Sequence, residues 1–210
     1  NAGTLASVRS GRLSAVSPAH PMEKSHLTST PFSVLPLADC LQEALEDAGF
    51  TYCTPIQDAT LPLALAGHDI AGQAQTGTGK SAAFLLATLH YLMSTPVEEG
   101  LGGPWAIMLA PTRELALQIH KDAESLGRYT GLKFAAVYGG TGYESQRRQL
   151  EDGVDVVVGT PGRIIDFYKQ GVLKLKYIEV VVLDEADRMF DLGFISDIRY
   201  LLRRMPSADQ

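Results

Sequence analysis

Eight consecutive residues constrain this chain more than any others: Ala74, Gln75, Thr76, Gly77, Thr78, Gly79, Lys80 and Ser81. A short apolar run containing Ile70 and Ala71 precedes them, and a helical pattern of Ala82, Ala83, Phe84, Leu85, Leu86 and Leu89 follows. Strand, glycine-bearing turn, then helix is the setting that a phosphate-binding P-loop requires. Glycines let the backbone curl until successive N–H groups point inward at phosphate oxygens. The helix N-terminus adds the positive end of its dipole, and Lys80 adds a full charge. Ser81 supplies a hydroxyl oxygen suited to Mg2+, a hard cation. Ala74 stands where the strict pattern has its first glycine, but the flanking strand and helix favour a nucleotide site over an incidental glycine-rich turn.

Beyond this loop, apolar runs at 106–110, 132–138, 155–159 and 179–183 alternate with helical patterns near 113–129, 143–151, 162–170 and 195–205. Buried strands separated by amphipathic helices predict an α/β fold, a mostly parallel sheet with helices on both faces. Upstream, 37–48 reads as a helix closed by Gly49, and Thr54 with Pro55 opens another that ends before Gly67. The stretch 94–104 reads as an exposed insertion. Residues 1–31, rich in Ser, Ala, Thr and Pro, lack a sustained apolar period and are expected to be disordered. Met22 suits a native start, which would leave 1–21 as an expression remnant.

The chain has 210 residues and a net charge of −6. An acidic balance argues against a general nucleic-acid-coating surface, so any such contact must be a local patch or use backbone groups. Cys40 and Cys53 form no CxxC pair and the five histidines show no ligand spacing, which points to a reducing compartment without structural zinc. No apolar run is long enough for a membrane span, and the expected location is the cytoplasm.

A second candidate site follows Val180-Val181-Val182-Leu183, where Asp184, Glu185 and Asp187 cluster. Carboxylates at the end of a buried strand are costly unless a cation or solvent meets them. Ligands of open α/β sheets bind outside the carboxyl ends of the strands, where the P-loop also lies. Asp184 therefore suits Mg2+, mainly through water, and Glu185 suits activation of an attacking water. The competing reading is a solvated acidic turn that caps the next helix.

Together these features resemble the DEAD-box RNA helicases, over about residue 32 to the end. Residues 184–187 spell D-E-A-D. Residues 50–57 with Phe32 upstream resemble the Q motif, and 74–81 motif I, in which Ala at the first position is normal. Pro111-Thr112-Arg113-Glu114-Leu115-Ala116 resembles motif Ia, Gly139-Gly140 the glycine doublet, and Thr160-Pro161-Gly162-Arg163 motif Ib. Among family members, the bacterial helicases of the RNA degradosome are the nearest in pattern.

The resemblance implies a RecA-like P-loop domain, ATP and Mg2+ as cofactors, and catalytic roles for Lys80, Asp184 and Glu185. Gln57 would read the adenine edge, although a backbone-capping role competes. Phe50 or Tyr52 would stack on the base, with core packing as the rival for each, and Phe32 would order the segment. Pro111, Thr112, Arg113, Gly139, Gly140, Thr160 and Arg163 would line a track for an RNA backbone without base readout. Turn or capping roles compete at each position. Arg147 and Arg148 fit a solvated helix face better than an RNA contact. Asp187 would couple this domain to another.

Family members have two tandem RecA-like domains. Residues 32–210 are expected to form the first, with the second, which would carry an arginine finger, absent. The whole protein would couple ATP hydrolysis to local RNA unwinding, in RNA degradation, with a ribonuclease scaffold engaging the second domain and no membrane contact. A non-enzymatic ATP-gated RNA clamp, or another P-loop nucleic-acid translocase, are the alternatives.

Overall fold

The computed structural model describes residues 27–75, 77–95 and 102–206, together with the backbone of two strands nearer the N-terminus. In chain order the elements are β1 (Gly3–Val8), β2 (Leu13–Ala15), α1 (Asp39–Asp47), α2 (Pro55–Leu65), β3 (Asp69–Gln73), α3 (Lys80–Ser94), β4 (Ala106–Leu109), α4 (Arg113–Leu126), β5 (Phe134–Val137), α5 (Tyr143–Glu151), β6 (Val156–Gly159), α6 (Pro161–Lys169), β7 (Val180–Leu183), α7 (Ala186–Asp191) and α8 (Ile195–Leu202).

Strands β7, β4, β6 and β5 lie side by side in that order, all parallel, with Ala106 opposite both Val156 and Val180. The central strands β4 and β6 are buried on both faces, so alternate side chains feed two separate cores. Ala106 and Met108 pack with Leu85, Leu86 and Leu89 of α3 and Ile119 of α4. Ile107 and Leu109 point the other way, onto Ile164 and Phe167 of α6 and Ile198 and Leu201 of α8. Each leucine fully withdrawn from water stabilises the fold by about 1.5–3 kcal/mol. Helices therefore cover both faces, the arrangement expected of hydrophobic parallel strands.

The full strand order is β2-β3-β1-β7-β4-β6-β5. β3, which leads into the P-loop, runs parallel to β2, whereas β1 is antiparallel to both β3 and β7. This corrects the expectation of disorder for residues 3–8 and 13–15. Facing edges of β3 and β7 present unpaired N–H and C=O groups, and a strand between them satisfies both ladders. That long-range pairing has no signature in local composition. The rest of residues 1–26, including Met22, lies outside the described residues.

Strand limits fall one or two residues inside the expected runs, and α4 and α8 stop before Tyr129 and Met205. Gly49 follows α1 with φ 75°, the left-handed conformation that suits a glycine after a helix. The short helix α7 was not expected. Its N-cap is Glu185, whose side chain makes no capping hydrogen bond, so the usual start signal is missing.

Candidate functional site

The loops that follow β3, β4 and β7 converge at the carboxyl ends of the strands. A cleft of about 410 Å³ opens there, lined by Phe50, Gly77, Gly79, Lys80, Ser81, Asp184 and Glu185 together with residues of α4. Both chemical sites read from the sequence thus share one cavity.

The loop's shape rests on two left-handed glycines, Gly77 at φ 78° and Gly79 at φ 86°. The Thr78 hydroxyl donates to the Gln75 carbonyl at 2.7 Å and closes the turn on itself. Lys80 opens α3, and its side chain is largely buried. A Cβ on Gly79 would stand 2.4 Å from Nε2 of Gln57, so the position needs glycine for space as well as for φ. Ala74 and Gln75 flank the loop, and Thr76 lies outside the described residues.

Across the cleft, Asp184 is 4% exposed and its backbone N–H donates to the Leu109 carbonyl at 3.0 Å. Its Oδ1 accepts from the Glu185 N–H at 3.0 Å. Glu185 has φ 51° and ψ 47°, and is the one described non-glycine residue with positive φ. Such backbone conformations cost about 1–3 kcal/mol and cluster at functional sites. The Arg188 guanidinium donates to Glu185 Oε2 at 3.0 Å. Asp187 sits half-buried in the first turn of α7.

The donor chemistry fits Mg2+. Ser81 and Asp184 offer hard oxygens in one cleft. Among the described residues no group of three His, Cys, Asp or Glu side chains stands together as a metal cage. A cation here would draw its remaining oxygens from phosphate and water, as Mg2+ usually does.

The surroundings of Gln57 are more distinctive than the sequence implied. Gln57 is 1% exposed and both ends of its amide are engaged. Oε1 accepts from the Thr54 N–H at 2.8 Å, and Nε2 donates to the Gly79 carbonyl at 3.0 Å. In this state Gln57 completes a capping box and braces the P-loop, and it is not among the cleft-lining residues. Phe50 lines the cleft and meets Phe32 edge to face at 5.9 Å. Tyr52 bridges to Pro31 instead and is exposed.

Sequence reasoning missed the wall contributed by α4: Leu115, Gln118, Asp122 and Ser125. Burial pushes the Asp122 carboxyl above its ordinary range, opposed by the Gln118 amide, which donates to it at 2.8 Å, and by the Lys121 charge. Their helical spacing was visible in the sequence, but nothing marked that stripe as facing a ligand.

The residues expected along a nucleic-acid backbone gather beyond the cleft, after β4, β5 and β6. Arg113 is exposed, with its guanidinium 4.8 Å from the centre of the Tyr138 ring. Thr112 caps α4, its hydroxyl accepting from the Leu115 N–H at 3.3 Å. Gly139 and Gly140 are exposed, the latter at φ 99°. Thr160 begins α6, and the half-buried Arg163 guanidinium lies 4.9 Å from the Tyr143 ring and 5.6 Å from that of Phe167. Pro111 is buried and presents little side chain. Arg147 pairs with Glu151 at 2.9 Å on the outer face of α5.

A P-loop and D-E-A-D carboxylates meeting across one cleft of a parallel sheet define a P-loop nucleotide-binding class of α/β domain. Residues 54–210 match the DEAD/DEAH box helicase family, and the chain belongs to that family. It is similar to the "ATP-dependent RNA helicase RhlB" of Yersinia pestis (strain Pestoides F), with 60% identity over 191 residues, 90% of this chain and 45% of the relative. The protein of the same name from Yersinia pseudotuberculosis serotype O:3 (strain YPIII) matches equally, so the chain spans less than half the length of these relatives, 45%. Its fold is similar to the crystal structure of a hypothetical ATP-dependent RNA helicase from Sulfolobus tokodaii, with a TM-score of 0.69 and 35% identity over 80% of this chain and 47% of that one. Among the described residues no helix is long and apolar enough to cross a membrane.

Proposed function

We propose that the protein is an ATP-dependent RNA helicase in which this chain forms the ATP-binding domain. The observation that carries the reading is the convergence of Lys80, Ser81, Asp184 and Glu185 on one cleft. Lys80 and the loop's N–H groups hold the β- and γ-phosphates. Ser81 and Asp184 hold Mg2+, which when bound neutralises charge on the phosphate oxygens. Glu185, released from Arg188, takes the proton of a water attacking the γ-phosphorus; the bond to the bridging oxygen breaks, leaving ADP and phosphate. Gln57 changes partner from the P-loop to the adenine edge, and Phe50 is the better placed of the two candidate aromatics to pack against the base.

Thr112, Arg113, Gly139, Gly140, Thr160 and Arg163 hold one RNA strand by its backbone, which suits an acidic chain. Asp187 couples these sites to a second domain in the longer protein. Closure of the two domains on ATP and RNA then separates a short duplex, because both ligands favour the same closed state. The setting we propose is the cytoplasm, in RNA degradation beside a ribonuclease scaffold that engages the second domain.

The test is RNA-stimulated ATP hydrolysis and short-duplex unwinding by the full-length protein and its Glu185→Gln variant. The variant should keep nucleotide affinity and lose about 10²–10⁴ in kcat, the usual contribution of a positioned general base. Undiminished hydrolysis would overturn the role of Glu185. Biological activity retained without hydrolysis would favour an ATP-gated clamp. This 210-residue chain alone should bind nucleotide yet turn over slowly, since an arginine supplied by another domain contributes about 10³–10⁵ in related phosphoryl transfers.

A further inference from the structure

One buried polar side chain has no part in the nucleotide chemistry. Gln146, in the first turn of α5, is 4% exposed. Its Oε1 accepts from the Tyr138 N–H at 3.1 Å, and its Nε2 donates to the Thr141 carbonyl at 3.0 Å. Those two backbone groups stand immediately before and after Gly139-Gly140. The single amide thus closes both ends of a loop whose middle is exposed. Gly139 has nothing within 4 Å of where a Cβ would be, and Gly140 has φ 99°. With so little packing of its own, the loop owes much of its shape to that clasp.

The same Oε1 also accepts from Nη1 of Arg163, at 3.4 Å. Arg163 is otherwise held by the rings of Tyr143 and Phe167 and a 3.9 Å approach to Asp166. Tyr138, whose N–H Gln146 engages, carries the ring beneath the Arg113 guanidinium at 4.8 Å. Gln146 is therefore the common partner of the glycine loop and one arginine, and it holds the backbone of the residue on which the other stacks. The carbonyl accepts twice and the amide donates once, so both functions of the Gln146 side chain are used from one buried position.

We propose that Gln146 is a positioning residue for RNA-backbone binding, setting the Gly139-Gly140 loop and Arg163 in one fixed geometry. The proposal rests on the reading of those residues as an RNA contact. A buried amide that served stability alone would weaken every activity of the domain together. A positioning residue selects for one ligand.

The experiment measures RNA-stimulated ATPase activity in the full-length protein for Gln146→Leu, Gln146→Glu and Arg163→Ala. Gln146→Leu loses all three hydrogen bonds and should raise the KM for RNA about tenfold, the size expected when buried partners are stranded. The KM for ATP and the rate at saturating RNA should hold. Gln146→Glu keeps the acceptor for the Tyr138 N–H and Arg163 but lacks the donor to Thr141, so its KM for RNA should fall between the two. The Glu variant decides the matter if the Leu variant does not fold. Unchanged KM for RNA in the folded Gln146 variants, with Arg163→Ala impaired, overturns the proposal. So does a parallel loss in ATP and RNA parameters. If Arg163→Ala also leaves the KM for RNA unchanged, the RNA reading itself fails, and the two failures are distinguished.

Discussion

The corner after β3 and the face after β4, β5 and β6 hold charge by opposite means. At the corner, Lys80 and Asp184 are buried, and their places are set by the backbone: two left-handed glycines, a strained Glu185 and N–H groups at a helix start. On the face, Arg113 and Arg163 are held by side chains, each guanidinium lying within 5 Å of a tyrosine ring centre. A phosphate cradle has to match one ligand shape, so its geometry is fixed by dihedral angles that few residues adopt. Arg113 is exposed over its ring, and a stack of that kind contributes only about 0.5–1 kcal/mol. The corner should break sharply, and the face gradually.

Gly79→Ala is the sharpest way to break the corner. It combines a disfavoured φ with a Cβ 2.4 Å from Gln57 Nε2, so the loop or the Gln57 clamp must shift. Strain of about 1–3 kcal/mol predicts roughly a 5–150-fold loss of adenine-nucleotide affinity. A fluorescent-nucleotide titration measures it, with RNA binding in the absence of nucleotide as the control. Unaltered nucleotide affinity would mean that the backbone of this corner is not what shapes the site.

Tyr138→Leu probes the other side. The backbone N–H that Gln146 engages is kept while the ring beneath Arg113 is removed. The loss of one exposed cation–π contact predicts a rise of about 2–5-fold in the KM for RNA, with the KM for ATP unmoved. An effect as large as that of Gly79→Ala would erase the distinction between the two regions.

The same division explains what was legible in the sequence. Corner residues are specified locally: Gly77, Gly79, Lys80 and Ser81 are adjacent, and the strand and helix beside them show periodic apolar residues. The four parallel strands were equally plain, because their interior runs are apolar throughout. Gln146 was not legible, since its partners Tyr138, Thr141 and Arg163 meet it only after β5, α5 and α6 have folded together. Gln57 shows a finer gap. Its place before the P-loop was readable, but the bond from Nε2 to the Gly79 carbonyl depends on α2 packing beside α3. β1 between β3 and β7 is the extreme case, a pairing between residues more than sixty positions apart.

The smallest expected effect lies at the far end of the helix that starts at the P-loop. His90 Nδ1 accepts from the Ala38 N–H at 3.2 Å, and Ala38 is the N-cap of α1, which has no side-chain cap of its own. The imidazole thus does the capping from another helix, and only its form with Nδ1 unprotonated can accept that bond. Burial holds the imidazole below its ordinary value. As pH falls the unfolded chain therefore takes up the proton first, and stability is lost from about pH 6.5 downward until the native imidazole itself protonates. The corner should feel this through α1 and the adjoining Phe32 segment, because the Gln42 amide of α1 donates to the carbonyls of Phe32 and Leu35. Thermal melts between pH 7.5 and about 5 should show a decline in Tm through this window. Gln offers an acceptor that does not titrate, so His90→Gln should flatten that part of the profile. An identical pH profile in the variant would remove His90 as its cause. Any RNA affinity change confined to the same window would link the two regions more closely than their separate means of holding charge imply.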